Sequence, residues 1–440
     1  MFFDEILNSI EDIIKNYQVY LVGGYLRNYY LKNEISSDRD LVVIKKAREL
    51  ALEISQKLDG TFIELDNENE IFRVVLKDKI NYFDISRALN DDIELDSKRR
   101  DFTINSIFYD LNKKEIYDPF NGISDIKNKI LKTQDTNNFI DDPLRLLRLY
   151  RFQAQTGFEI EKNLIDFIKN NFNLIKTVAK ERINYEIIKI FEGDFVAQTL
   201  LQMFEDEVLE LVFPFVKEIK KIPKNTHHHL DLIHHSIETV RLIETNNPIL
   251  KISAFYHDIG KPSTWTIEEN GRHRFIGHDI KGAEIAKKEL EELNFSNKQI
   301  SYISKMIKYH IYPATLINAS DNKKAFAKFV RKLGIDSLDI IALSRADRLS
   351  AQGIAVTKEM IEKSLSHLDE LEKYYESVKD LIDSPKSLID GKKIMEILNI
   401  KPSKLVGKII EELKELQLSG DIKTPDEAVN YVLEKYSKLQ

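Results

Sequence analysis

The sequence predicts an α/β head built on a small mixed sheet, followed by a long all-helical remainder. Three observations predict it. Short β-branched and aromatic runs alternate with helical stretches between Val19 and Ser86. Near the start, LVGGYLRN (Leu21 to Asn28) reads as a strand, a glycine turn and a helix, and DRDLVVI (Asp38 to Ile44) reads as the next strand. From about residue 136 apolar residues recur at helical spacing, as in Leu144 to Phe152, Leu164 to Phe172 and Ile183 to Phe191.

In chain order, residues 1 to 17 carry Phe3, Ile6, Leu7, Ile10, Ile13 and Ile14 at helical spacing and predict one amphipathic helix. Val19 to Val22 is a strand that Gly23 and Gly24 break, and Tyr25 to Lys32 is a helix. Backbone amides at that helix start suit phosphate oxygens, and Arg27 one turn in adds charge. In the next strand, period-two alternation puts Asp38 and Asp40 on one face and Arg39 on the other, an anionic pair able to hold a hard cation such as Mg²⁺. Ala47 to Leu58 is helical and Asp59-Gly60 ends it. Thr61 to Leu65, Ile71 to Leu76 and Ile80 to Ser86 are strands. Asp84, on the last of them, is either a third acid for the cation or a hydrogen-bonded strand aspartate.

Composition narrows the function classes. The 440 residues suffice for several domains, and the absence of cysteine excludes disulfides and thiolate zinc sites. Any metal must sit on Asp, Glu or His. A net charge of −7 and a pI near 5.9 argue against bulk coating of nucleic acid, so RNA would be met by local patches. No apolar run is long enough to span a bilayer and no signal-peptide pattern opens the chain, which predicts a cytoplasmic protein without membrane contact.

Further along come RRDFTINS (Arg99 to Ser106), YDPFNGISDI, DDPLRLLRLYRF, GFEI and KERINYEIIKIF. Together with LVGGYLRN and DRDLVV, these ordered segments resemble the motifs of class II tRNA nucleotidyltransferases and bacterial poly(A) polymerases. Two departures stand out, Asn28 and Asp141, where the family usually has Asp and Glu. The resemblance implies a polymerase-beta-like nucleotidyltransferase head at 1–135 and a helical neck at 136–215. It implies transfer of C and A from CTP and ATP to the tRNA 3′ end, with two Mg²⁺ ions at the catalytic pair Asp38 and Asp40. Gly23, Gly24 and Arg27 would hold the triphosphate, and Arg99, Arg100 and Asp101 would contact sugar and phosphate.

Asp142 and Arg145 flank a helix start at Pro143. Adenine and cytosine each present an amino donor beside a ring-nitrogen acceptor, which a carboxylate and a guanidinium complement. Guanine and uracil put a carbonyl where the amino group was, so Asp142 would reject them. Read in isolation the two residues also make a surface salt bridge. Arg148 and Arg151 continue the stripe, toward RNA phosphates or toward acids of the head.

Nine of the ten histidines lie between His227 and His310. HSIETV, YHDIGKPSTW, GHDIKGAE, MIKYH and LSRADRLS resemble an HD metal-dependent phosphohydrolase domain, placed at 216–375 before a helical tail at 376–440. The resemblance implies His235, His257, Asp258 and Asp347 as ligands of a divalent transition metal or Mg²⁺, with His278 and His310 as candidates for a second metal and Lys261 for a phosphate. Two rivals stay open: an enzyme adding only A, only CC or a poly(A) tail, because the Arg87–Ser97 segment is short, and an HD phosphohydrolase whose head only binds RNA.

Overall fold

Val19–Val22, four consecutive buried residues, form β1 at the heart of a seven-stranded sheet. The other strands are β2 (Asp38–Val43), β3 (Thr61–Asp66), β4 (Ile71–Val75), β5 (Tyr82–Arg87), β6 (Phe108–Asp110) and β7 (Glu115–Tyr117), in the order β3-β4-β5-β2-β1-β6-β7. Only β2 and β5 pair in parallel; the other neighbours are antiparallel. The structure is a computed structural model describing residues 4–222, 231–269, 271, 273–319, 321–351, 356–383 and 387–437. The His227–His229 cluster lies outside the described residues. Two units are formed, Met1–Leu211 and Val212–Gln440.

The register explains the site. Asp40 of β2 stands beside Asp84 of β5, and Asp84 stands beside Arg73 of β4, so three strands place these side chains in one row. A slip of one residue in β2 would turn both its acids to the opposite face, where Arg39 is buried against the Asp4 carboxylate. That same carboxylate caps the first helix by accepting from the Leu7 amide. The single N-terminal helix expected from periodicity is two short ones, Glu5–Ser9 and Glu11–Ile14, broken at the fully buried Ile10. Tertiary packing overrides the periodicity there. β6 and β7, three residues each, are too short to carry a periodic signal and were not anticipated.

Beyond the sheet the chain is helical, apart from two-residue strand pairs at Ile130–Leu131 with Glu159–Ile160 and at Thr266–Ile267 with His273–Arg274. In the first unit the Lys180–Glu192 helix packs along the Leu144–Thr156 helix. In the second, the Leu232–Leu242 helix packs on Pro248–Tyr256 and Ser337–Ser350, and His278–Glu292 packs on Asn297–Tyr309. Three C-terminal helices, Gly391–Leu398, Lys404–Ser419 and Pro425–Tyr436, share a core around Ile394, Ile409, Leu413 and Val432. Among the described residues no helix is long and apolar enough to cross a membrane.

One buried acid makes the second unit pH-sensitive. Glu289 accepts from the Tyr256 hydroxyl at 2.8 Å and the Phe215 amide at 3.2 Å, and burial pushes its carboxyl up to about 7 from an ordinary 4.5. The folded chain therefore holds this proton more tightly than the unfolded chain. Its stabilising contribution is complete below about pH 4.5 and is lost as the pH rises to about 7. We expect the melting temperature of Glu289→Gln, relative to the parent, to rise by about 2–8 °C between pH 5 and pH 8, the size set by on the order of 1–3 kcal/mol. A difference that does not change with pH would mean that Glu289 ionises normally in the fold.

Candidate active sites

In the head, Asp38, Asp40 and Asp84 each offer a carboxylate oxygen within 4.8 Å of the others. Asp40 is pushed up to about 7 by burial and by the Asp38 charge, and burial and Asp84 raise Asp38 as well. Asp38 Oδ1 is buried without a hydrogen-bond donor. A divalent cation fits this set: the donors are all hard oxygens, one of them lacks a partner, and a positive ion would relieve the repulsion that raises both acids. Asp84 is held from behind by Arg73, whose Nε and terminal nitrogen each donate at 2.7 Å to one of its oxygens. Asp84 thus lies within ligand reach and is hydrogen-bonded as well.

Gly23, at φ 69°, makes the turn possible. A β-carbon there would sit 2.5 Å from Asp40 Oδ2, so only glycine lets the helix start approach the carboxylate. Gly24 meets no such obstacle; its nearest neighbour would be an Arg27 nitrogen at 3.5 Å. Arg27 donates to Asn105 Oδ1 at 2.7 Å and to Asn28 Oδ1 at 3.2 Å, and burial lowers it to about 10. Its guanidinium lies 5.0 Å from the centre of the Phe152 ring, which also carries Arg148 at 5.5 Å and Arg151 at 5.3 Å. Three cations thus share one aromatic platform beside three acids.

The remaining expected residues take more specific places. Burial pushes Asp101 up, but the Arg148 charge and hydrogen bonds from Asn105 and Arg148 outweigh it and bring the acid to about 2. Its oxygens accept from the Phe102 amide (2.9 Å), Asn105 Nδ2 (3.0 Å) and two Arg148 nitrogens (2.9 and 2.6 Å). Its acceptor positions are taken within the chain, and through them this acid orients Arg148. Arg148 therefore does meet a head acid, whereas Arg151 pairs with Glu186 of the Lys180–Glu192 helix at 3.2 Å. Asp142 is not paired with Arg145. It accepts from Arg182 at 3.0 and 3.2 Å, while Arg145 donates to the carbonyls of Arg99 (2.7 Å) and Asn138 (3.3 Å). Arg99 and Arg100 both lean on Asp96.

In the second unit four imidazoles converge on Asp258. Their Nδ1 atoms are anchored: His257 on the Ala254 carbonyl (2.7 Å), His278 on Phe275 (2.8 Å), His310 on Ile307 (2.6 Å) and His235 on the Ser350 hydroxyl (3.1 Å). A carbonyl accepts only, so Nδ1 of the first three carries a proton, and in the neutral ring Nε2 presents a lone pair. The Nε2 atoms of His278 and His310 are then 3.2 Å apart, an arrangement without a hydrogen bond that a cation between them would stabilise. His235 and His257 stand at the same 3.2 Å. Asp258 Oδ2 lies 3.4 and 3.2 Å from His235 and His257, and its Oδ1 lies 3.5 and 4.0 Å from His278 and His310. Asp347 adds an oxygen 3.1 Å from His235. The donors fit two cations that share Asp258. Lys261 is buried and paired with Asp258 at 2.5 Å, rather than free. A cavity of about 250 Å³ opens on this cluster, walled by Arg348, Ile311, Ala314 and Leu368.

Three family models match the chain in order: the poly A polymerase head domain at 19–132, the probable RNA and SrmB-binding site of polymerase A at 157–220, and the HD domain at 232–352. The A-adding tRNA nucleotidyltransferase of Deinococcus radiodurans is 27% identical over 422 residues, covering 94% of each chain. The CC-adding enzyme of Synechocystis sp. is 27% identical over 420 residues, covering 95% of this chain and 93% of its own. The chain carries a poly A polymerase head domain and an HD domain, and it resembles tRNA nucleotidyltransferases over nearly all of its length. Its fold is shared by the CCA-adding enzyme of Bacillus stearothermophilus, solved with CTP, at a TM-score of 0.69 and 18% identity over 99% of each chain. Nucleotidyltransferase and HD domains are both metal-dependent, which agrees with the two donor sets.

Several residues around these sites carry no signal of their own in the sequence. Arg73 lies in a strand and only the register with Asp84 reveals it. Arg182 in KERINYE and Asn105 in RRDFTINS stood inside quoted motifs without a role. Phe152, read as core, is also the platform for three arginines.

Proposed function

We propose that this cytoplasmic protein is a tRNA nucleotidyltransferase that adds C and A, from CTP and ATP, to the tRNA 3′ end without a nucleic-acid template. The observation that carries this reading is a trio of carboxylates beside a cluster of partly buried arginines, with Asp142 at the start of the same helix that supplies Arg148 and Arg151. Asp38 and Asp40 hold Mg²⁺, with Asp84 alongside. When bound, the ions lower the pKa of the attacking 3′-hydroxyl and neutralise the pyrophosphate that leaves the α-phosphorus. The Gly23 turn and Arg27, Arg99 and Arg100 hold the triphosphate, and Phe152 keeps Arg27 and Arg148 in place.

Asp142 reads the base. The Arg182 contact braces its carboxylate, and 31% of its side chain stays exposed to take an amino group. Arg145, braced by two carbonyls, supplies the ring nitrogen. Asp142→Ala should lower discrimination against UTP and GTP by about 10–100-fold, the cost of leaving a polar pair unmatched. Relative kcat/KM for the four nucleotides measures it, and unchanged ratios would remove Asp142 from base reading.

The HD unit adds a second, hydrolytic site in which His235, His257, Asp258 and Asp347 hold one divalent ion, and His278, His310 and Asp258 hold another. Function is tested by supplying one nucleotide at a time, with Mg²⁺, to tRNA transcripts ending before C, after CC and after CCA. Extension to CCA followed by arrest supports the proposal. Addition of A alone or of CC alone narrows it to a partial-adding enzyme, and long A tails make it a poly(A) polymerase. No extension would overturn it in favour of the HD site as the seat of activity.

A further inference from the structure

The Ile93–Lys98 helix, capped by the Asp92 side chain on the amides of Glu94 and Leu95, turns Asp96 fully into the interior. Its Oδ1 accepts from Arg99 Nε at 2.9 Å and from an Arg99 terminal nitrogen at 2.6 Å. Its Oδ2 accepts from Arg100 at 3.3 and 3.2 Å. The Leu89 amide completes the set on Oδ1 at 3.4 Å. A carboxylate three and four residues ahead of two arginines can reach both forks on a helical turn, and here it does so without any contact with water.

Each guanidinium presents its Nε edge to Asp96, so the opposite edge is directed away from the acid. The Arg99 side chain stays about half exposed at 48%, while Arg100 extends along the Phe108 ring, 4.9 Å from its centre, to the Asn105 carbonyl. The Arg100 charge acts on Asp40. One acid therefore gathers two like charges and offsets their mutual repulsion, and fixes two long side chains whose ordering otherwise opposes ligand binding. It also ties down the turn at Leu89–Asp91, where Asn90 (φ 52°) and Asp91 (φ 59°) are both left-handed.

We propose that Asp96 is a positioning residue that presets Arg99 and Arg100 to receive the triphosphate of the incoming nucleotide. The inference rests on the reading of Arg99 and Arg100 as triphosphate contacts. A role confined to stability would disturb folding and leave phosphate binding unchanged; a positioning role does the reverse.

The test uses the full-length chain carrying Asp96→Asn, which keeps the shape and removes the charge. The KM for CTP and ATP and the inhibition constant of the product pyrophosphate should each rise about tenfold, as expected for loosening charge-assisted hydrogen bonds. The kcat and the KM for tRNA should stay within about threefold, and the melting temperature within a few degrees. Unchanged nucleotide and pyrophosphate constants would overturn the proposal, as would a fall confined to kcat and stability. If Asp96→Asn does not fold, Asp96→Glu decides: it keeps the charge on a longer arm and should raise the pyrophosphate constant at an unchanged melting temperature, and an unchanged constant overturns the proposal. Arg99→Ala and Arg100→Ala separate the two levels. If they leave pyrophosphate inhibition intact, the triphosphate reading itself fails; if they weaken it while Asp96→Asn does not, only the positioning role fails.

Discussion

Asp40→Ala should lower nucleotide addition by ~10³-fold or more, equivalent to about 4 kcal/mol of transition-state stabilisation, while leaving the fold intact. Loss of activity follows from the donor set: with Asp40 gone, Asp38 and Asp84 remain, and Asp84 is already engaged by Arg73. Two carboxylates, one of them committed to an arginine, are a poor match for two divalent ions. Retention of the fold follows from the same electrostatics. Asp40 is held at about 7 because burial and Asp38 oppose its charge, so its removal takes away repulsion rather than support. The melting temperature at pH 8 should be unchanged or higher. Addition within tenfold of the parent rate would remove the carboxylate trio from catalysis.

The second large effect lies in the other unit. Asp258 faces both histidine pairs, Oδ2 toward His235 and His257 and Oδ1 toward His278 and His310. Asp258→Ala should therefore empty both positions at once. Bound Mn²⁺ should fall from about two per chain toward zero by elemental analysis, and metal-dependent hydrolysis of p-nitrophenyl phosphate should fall by ~10³-fold. His278→Ala should remove one ion and leave the other. If Asp258→Ala retained its full metal content, the shared-ligand arrangement would be wrong.

Much of this was legible in the chain because it is local. The Val19–Val22 strand, the Gly23 turn and the alternation of Asp38 and Asp40 are short-range features, and each folds as its residue types dictate. Partnerships across the fold were not legible. Arg73 reaches Asp84 through strand register, and Arg182 reaches Asp142 from forty residues away. The surface salt bridge that Asp142 and Arg145 would make in isolation is absent for that reason: spacing places two side chains near each other, but a third charge from another helix engages the acid. Asp101 is likewise engaged by Arg148, Asn105 and the Phe102 amide, partners that spacing does not reveal. In the HD unit the ligand types were visible, but their aim was not. Backbone carbonyls at Ala254, Phe275 and Ile307 turn each Nε2 inward, and such anchors leave no trace in sequence.

The central claim is that one chain carries two separate metal chemistries, with transfer in the head and hydrolysis in the HD unit. The most direct test assays Asp40→Ala and Asp258→Ala side by side, for nucleotide addition to a tRNA transcript lacking CCA and for phosphomonoester hydrolysis. We expect Asp40→Ala to lose addition and keep hydrolysis, and Asp258→Ala to lose hydrolysis and keep addition. Loss of addition in Asp258→Ala with retention in Asp40→Ala would contradict the account.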